Sequence, residues 1–147
     1  MIKIEIDNSL ENDEIIIRCN KLTDSINEIE NKLNKKYNNK LATFKNNTEY
    51  YLNIDNILFF ETNSNIIDVH TTDEVYNIKI TLYELEEILP NTFTRVSKST
   101  ILNIDHIYSI NKSLASSNIV QFNKSHKKVY VSRFYYKILK EKLREGR

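Results

Sequence analysis

The chain has 147 residues, 28% of them charged, a net charge of +1, one Cys, one Gly and one Pro. At this length a chain buries enough surface to fold without a disulfide or structural metal, and the lone Cys19 admits no internal bridge, which fits a reducing compartment. The single Gly, at position 146, excludes the P-loop and the G-x-G-x-x-G turn, and no apolar run approaches the ~20 residues of a membrane span. A cytoplasmic protein with no cofactor is the expectation.

Near-neutrality hides a segregation of charge. Residues 1–92 hold 9 Lys and Arg against 17 Asp and Glu, a net −8, whereas residues 93–147 hold 12 against 3, a net +9. That polarity points to a polyanion partner for the basic part. Mutual attraction of the two parts within one fold is the alternative.

In chain order, Ile2, Ile4 and Ile6 alternate with Lys3 and Glu5, the period of a half-buried strand, and Ile15–Cys19 reads as a second strand. Ser25 and Glu28 form a capping-box pattern ahead of Ile26, Ile29, Leu33 and Tyr37 on one helical face, which predicts a helix from Asp24 to Lys36. The run at 34–40 reads as a linker. Residues 1–38 are thus expected to be a small strand–strand–helix unit, too short to fold alone, ahead of a second domain at 41–147.

From Leu41 the pattern turns to short strands: 41–45, 49–53, 57–61, 66–71, 74–80, 99–103, 107–111, 118–122 and 128–131. Asn46-Asn47, Thr72-Asp73 and Asn123-Lys124-Ser125 are the expected hairpin turns, since Asn and Asp replace the missing Gly at left-handed positions. Thr81 and Glu84 cap a helix carrying Leu82, Leu85 and Leu89, and Pro90 follows its end. The stretch Phe93–Ile110 begins with a polar, basic tip (Arg95, Ser97, Lys98, Ser99) and runs into apolar Ile101, Leu102 and Ile104. A strand built so holds cations and hydroxyls at fixed positions outside a sheet. Ser132 caps a terminal helix with Tyr136, Leu139 and Leu143 inward and Arg133, Lys137, Lys140, Lys142 and Arg144 outward. The fold class is mainly β with short helices.

Over about Leu41–Arg144 this order resembles the LytTR family of bacterial DNA-binding domains. The matching pieces are Asp55-Asn56-Ile57-Leu58-Phe59-Phe60-Glu61, Leu82-Tyr83-Glu84-Leu85-Glu86, Phe93-Thr94-Arg95-Val96-Ser97-Lys98-Ser99 with Ile101-Leu102-Asn103 and Ile107, and Val131-Ser132-Arg133 with Tyr136. The resemblance implies an elongated fold of small antiparallel sheets whose loops enter successive major grooves, in a transcriptional regulator acting at paired direct repeats. It places base-reading positions in the Asn63-Ser64-Asn65 loop, the Ser97-Lys98 tip and Arg133. The chain departs from the family pattern at Ser97, where His is common. The segment ahead of Leu41 is too short for a receiver domain and is similar to the extension of stand-alone members, for which a small membrane-protein regulator is implied.

Side-chain chemistry reaches similar residues. Lys98 can donate to guanine O6 and N7, Asn65 can bond adenine at two points, and Arg133 at a helix start can fork onto a phosphate or a guanine. Arg95, Ser99, Lys127 and Lys128 suit phosphate contacts, as do Asn63, Ser64 and the helix-face Lys137. Asn65 is equally at home as a turn residue, and Asn103 reads as structural. The expected partners are double-stranded DNA and a second copy of the chain on it, with no small-molecule substrate.

An enzyme needs a site, and none is legible. His70, His106 and His126 lack metal-ligand spacing, and Glu86-Glu87 reads as an exposed helix face. Tyr130, Tyr135 and Tyr136, set among cations, leave stacking on single-stranded nucleic acid open. The competing reading is a protein-interaction module docking through its acidic N-terminal part.

Overall fold

The computed structural model describes residues 1–37, 39–112 and 118–145, with the side chains of 35–37 excepted. The chain divides into two compact units, Met1–Asn38 and Asn39–Arg147.

Among its described residues the first unit holds one helix, α1 (Asp24–Tyr37), preceded by irregular chain with turns at 8–9 and bends at 11–12 and 20–21. Thr23 caps it: its Oγ1 accepts from Ile26 N at 3.3 Å and its carbonyl from Asn27 N at 3.0 Å. The expected Ser25–Glu28 box is therefore displaced by two residues, because Ser25 already lies inside the first turn. Ile26 and Leu33 are half-buried, Ile29 is exposed, and the Tyr37 side chain lies outside the described residues. The two strands expected at 2–6 and 15–19 are not formed among the described residues, where both runs carry no regular structure. Alternation marks a chain that can pair, and among the described residues neither run is set against the other or against another strand. An isolated two-stranded ribbon is marginal in water in any case.

Among the described residues the second unit is built of ten strands, two α-helices and two single 3-10 turns. The strands are β1 (Lys40–Lys45), β2 (Thr48–Asn53), β3 (Phe59–Asn63), β4 (Ile66–His70), β5 (Val75–Ile78), β6 (Phe93–Ser97), β7 (Thr100–Asn103), β8 (Ile107–Asn111), β9 (Asn118–Phe122) and β10 (Lys128–Val131). Between β5 and β6 lies α2 (Leu82–Ile88), and α3 (Arg133–Glu145) follows β10. A seven-stranded antiparallel sheet has the order β2-β1-β5-β4-β3-β7-β6, and a three-stranded one the order β10-β9-β8. The mainly β class agrees with the sequence expectation. Phe93–Ser97, not expected as a strand because the polar tip was placed at Arg95, Ser97, Lys98 and Ser99, is a strand of its own with Phe93, Thr94 and Val96 buried. Its alternation was masked by Thr94, a β-branched residue that fills a core position.

The large sheet separates two cores. Phe60 and Ile101 pack with Ile57, Val69, Leu82, Leu85 and Phe93 on one face. Their neighbours Phe59 and Leu102 pack on the other with Val96, Val120, Phe122, Val131 and Leu139. Successive residues of a strand point to opposite faces, so a strand covered on both sides must be apolar throughout. This is why Ile57-Leu58-Phe59-Phe60 and Ile101-Leu102 show no alternation. Each such side chain contributes roughly 1.5–3 kcal/mol on burial.

Turn chemistry follows the shortage of Gly. Asn46 and Asn47 both take positive φ, 51° and 64°, and close the β1–β2 hairpin between Lys45 and Thr48. Ser64 (55°) and Lys124 (56°) occupy the other left-handed positions among the described residues. Thr81 and Glu84 form the expected capping box on α2. The hexapeptides Leu52-Asn53-Ile54-Asp55-Asn56-Ile57 and Leu102-Asn103-Ile104-Asp105-His106-Ile107 form the same device twice. In each, the Asn Oδ1 accepts from the Asp backbone N–H at 3.1 Å and starts a single 3-10 turn at a strand end. Asn103, 1% exposed, also donates from Nδ2 to Ile57 O at 3.1 Å, tying β7 to the entry of β3.

Candidate nucleic-acid interface

The positions of the candidate residues follow from which strand ends meet. The β3–β4 hairpin turns at Ser64-Asn65, with Asn63 opposite Ile66. The β6–β7 hairpin turns at Lys98-Ser99, with Ser97 opposite Thr100. Because β3 and β7 are neighbours, these two turns lie side by side, and Thr62 N donates to Ser99 O at 2.8 Å. A depression of about 400 Å³ between them is lined by Ser64, Asn65, Lys98, Arg95, Thr62 and Tyr83. Asn65 and Lys98 are thus brought together from 33 residues apart, both exposed.

The third element joins through a strand irregularity. Pairing between β6 and β7 slips after Arg95, leaving Val96 unmatched. An unmatched residue keeps its carbonyl free of the ladder, and Val96 O accepts from Ser132 N at 3.0 Å. Ser132 in turn caps α3, its carbonyl accepting from Tyr136 N at 2.9 Å and its Oγ from Tyr135 N at 3.4 Å. Arg133 therefore starts α3 one residue from an anchor on the Lys98 hairpin, and it is exposed.

Arg95 is engaged inside the protein. Its Nε donates to Ser97 O at 2.8 Å, its Nη2 to Lys98 O, and its Nη1 pairs with Glu86 of α2. A guanidinium so engaged braces the turn instead of offering its fork to a phosphate. Ser97 is half-buried, and its Oγ accepts from Ser99 N at 3.2 Å, so it shapes the same turn. Glu86, on an exposed helix face as expected, is the second half of this brace.

Lys127 and Lys128 lie elsewhere. Lys127 Nζ donates to Thr71 O at 2.9 Å and Glu74 O at 3.2 Å, across the β4–β5 turn. That turn is at the end of β4 opposite Asn65, roughly 16 Å away along a five-residue strand. Partial burial pulls the Lys127 ammonium below the usual lysine value. Lys128 is exposed beside it, Lys137 is exposed on α3, and Asn63 donates to Asp68 Oδ2 at 3.0 Å. Lys142, expected on the outer face of α3, is half-buried and donates to Phe93 O at 3.1 Å.

His70 stacks on Phe59 with ring centroids 4.1 Å apart, and neither ring nitrogen has a hydrogen-bond partner among the described residues. Burial, reinforced by the Lys127 charge, pulls its pKa down to about 4, against a smaller opposing pull from Asp68. The 3.8 Å approach to Glu61 is therefore no ion pair at neutral pH.

One wall residue had no role in the sequence reading. Tyr83, 74% exposed on the first turn of α2, lines the depression with Asn65 and Lys98. Its signal was an aromatic on the polar side of a short amphipathic helix. Among the described residues, no helix is long and apolar enough to cross a membrane.

The family model of the LytTr DNA-binding domain matches residues 47–144. The chain is 31% identical over 132 residues to an uncharacterized HTH-type transcriptional regulator of Staphylococcus aureus strain COL, covering 88% of each chain. A counterpart in strain MRSA252 is 30% identical over the same share. Among solved structures, the LytTr DNA-binding domain of a Bacillus cereus protein described as a methyl-accepting/DNA response regulator superposes with a TM-score of 0.66. It is 21% identical, and the match covers 71% of this chain and 96% of that one.

Proposed function

Because the chain belongs to the LytTr DNA-binding domain family, we infer that it is a transcriptional regulator that binds double-stranded DNA and is not an enzyme. It acts in the cytoplasm and reads sequence in the major groove through two adjacent hairpin turns and the start of α3. The observation that carries this reading is the Thr62–Ser99 hydrogen bond, which sets Asn65 beside Lys98 on one rim. Lys98 and Arg133 supply donors for guanine and Asn65 the two-point partner of adenine. Ser97 and Arg95 act by holding the Lys98 turn in shape. Asn63, Ser64, Ser99, Lys137 and, at the far end of the sheet, Lys127 and Lys128 fall to phosphate contacts, with Lys127 the least available of them.

Two copies on direct repeats, associating through residues 1–38, complete the proposal, and the membrane-protein regulator implied by the family resemblance would act on the same segment. That segment holds 6 basic and 8 acidic residues and so does not favour a phosphate backbone. The test is selection of bound duplexes from a random pool, followed by titration of Lys98→Ala and Arg133→Ala on selected and scrambled duplexes. Each variant should lose on the order of 1–3 kcal/mol of discrimination with its circular dichroism unchanged. Wild-type preference retained by both variants rules out the base-reading assignment.

A further inference from the structure

Among the described residues, the three most exposed isoleucines belong to a five-residue stretch with a symmetry of its own. Ile2, Ile4 and Ile6 are 94%, 86% and 89% exposed. Lys3 and Glu5 lie between them and bridge each other in the single chain at 2.7 Å, both in solvent. The stretch is bounded at Asp7, whose Oδ1 accepts from Ser9 N at 2.9 Å and whose carbonyl accepts from Leu10 N at 3.3 Å, turning the chain. No strand partner exists for it among the described residues. A row of isoleucines left in water on a segment whose backbone pairs with no strand among the described residues is a surface made to be covered.

We propose that the partner of residues 2–6 is the same stretch of a second copy, paired antiparallel about a two-fold axis through Ile4. The argument is charge complementarity. In that register Lys3 stands opposite Glu5 twice, Ile2 stands opposite Ile6 twice, and Ile4 faces itself. Directly opposed residues share a face of the ribbon, so all six isoleucines form one apolar face and the four charges form two ion pairs on the other. Moving the register by one residue puts isoleucine opposite charge; moving it by two places Lys3 opposite Lys3 or Glu5 opposite Glu5. A two-fold contact demands a self-complementary surface, and Ile-Lys-Ile-Glu-Ile is one. The apolar face of the ribbon needs a cover, and the same unit offers a groove of about 500 Å³ lined by Ile15, Ile17, Leu22, Ile26 and Leu33. This inference rests on the association of two copies proposed above and gives it a surface and a register.

The test is sedimentation velocity of the full chain without DNA, so that its outcome is independent of whether the duplex reading holds. Lys3→Glu and Glu5→Lys each place like charges opposite each other twice and should weaken self-association at least about tenfold. An equimolar mixture of the two variants restores opposite charges across the pair and should dimerise as the wild type does. An ion pair within one chain cannot produce that rescue. In a Cys19→Ser background, Ile4→Cys should cross-link to a dimer on oxidation. Ile2→Cys and Ile6→Cys should do so only when mixed. A monomeric wild type, singles that still dimerise, or a mixture that does not would each overturn the proposal. Pairing of residues 2–6 with 15–19 of the same chain would appear as an Ile4→Cys protein that stays monomeric on oxidation, and would equally overturn it.

Discussion

At the scale of single residues, the structure separates side chains that face outward from those that hold them. Arg95 and Lys98 are three residues apart and carry the same charge, yet one braces carbonyls while the other is exposed at a turn. Replacing Arg95 by Lys removes the planar fork that reaches Ser97 O, Lys98 O and Glu86 together. Discrimination between selected and scrambled duplexes should fall, while the slope of log affinity against log salt stays within error of wild type, because no phosphate contact is lost. A slope flatter by about 0.9 would place Arg95 on a phosphate after all. His70 gives a prediction in pH. Its folded pKa, about 4, lies below the ordinary 6.5, so between these values the unfolded chain binds the proton and the folded one does not. Stability is then full above about pH 6.5 and falls as pH drops toward 4, by on the order of 2–3 kcal/mol. Urea midpoints from pH 7.5 to 4.5 should show this fall, and His70→Phe should flatten that part of the curve.

At the scale of elements, the repeated Leu-Asn-Ile-Asp-x-Ile hexapeptide shows how much one buried polar side chain holds. Asn103 satisfies the Ile57 carbonyl and starts the turn into β8, whereas Asn53 meets Asp55 N and Asn39 Nδ2 in a more open setting. Asn103→Ala leaves a buried carbonyl unpaired and should cost about 2–3 kcal/mol. Asn53→Ala should cost about 1 kcal/mol, since water reaches the groups it leaves behind. Chemical denaturation of the two variants checks the order, and equal losses would mean that the shared motif, not burial, sets the cost. The hexapeptide repeat was recognised only once both turns were seen in the fold. Its burial difference was not legible in the sequence either, because burial depends on what the flanking strands pair with.

At the scale of the whole molecule, the two units divide the proposed labour. Deleting residues 1–38 should abolish self-association and the advantage of a two-repeat duplex, while binding to one repeat persists. Light scattering with titrations on one-repeat and two-repeat duplexes measures both, and a truncated chain that still favours two repeats places the pairing surface within 39–147. How much of this was legible from residues alone follows from the range of each interaction. Local chemistry was legible: the Thr81–Glu84 cap, the Asn46-Asn47 turn, the stripe of α3 and the run of short strands depend on neighbours a few positions away. So was the family, because its motifs keep their order along the chain. Long-range choices were not. The absence of pairing at Ile2–Ile6, the burial of Thr94, the Arg95–Glu86 brace and the separation of Lys127 from Lys98 depend on which strands become neighbours. The sequence by itself determined most of the strands, helices and turns from 41 onward, β6 excepted, since backbone preference and periodicity act locally. Only the tertiary structure decided which cations face outward, because a charged side chain takes whatever carbonyl or carboxylate folding sets within its reach.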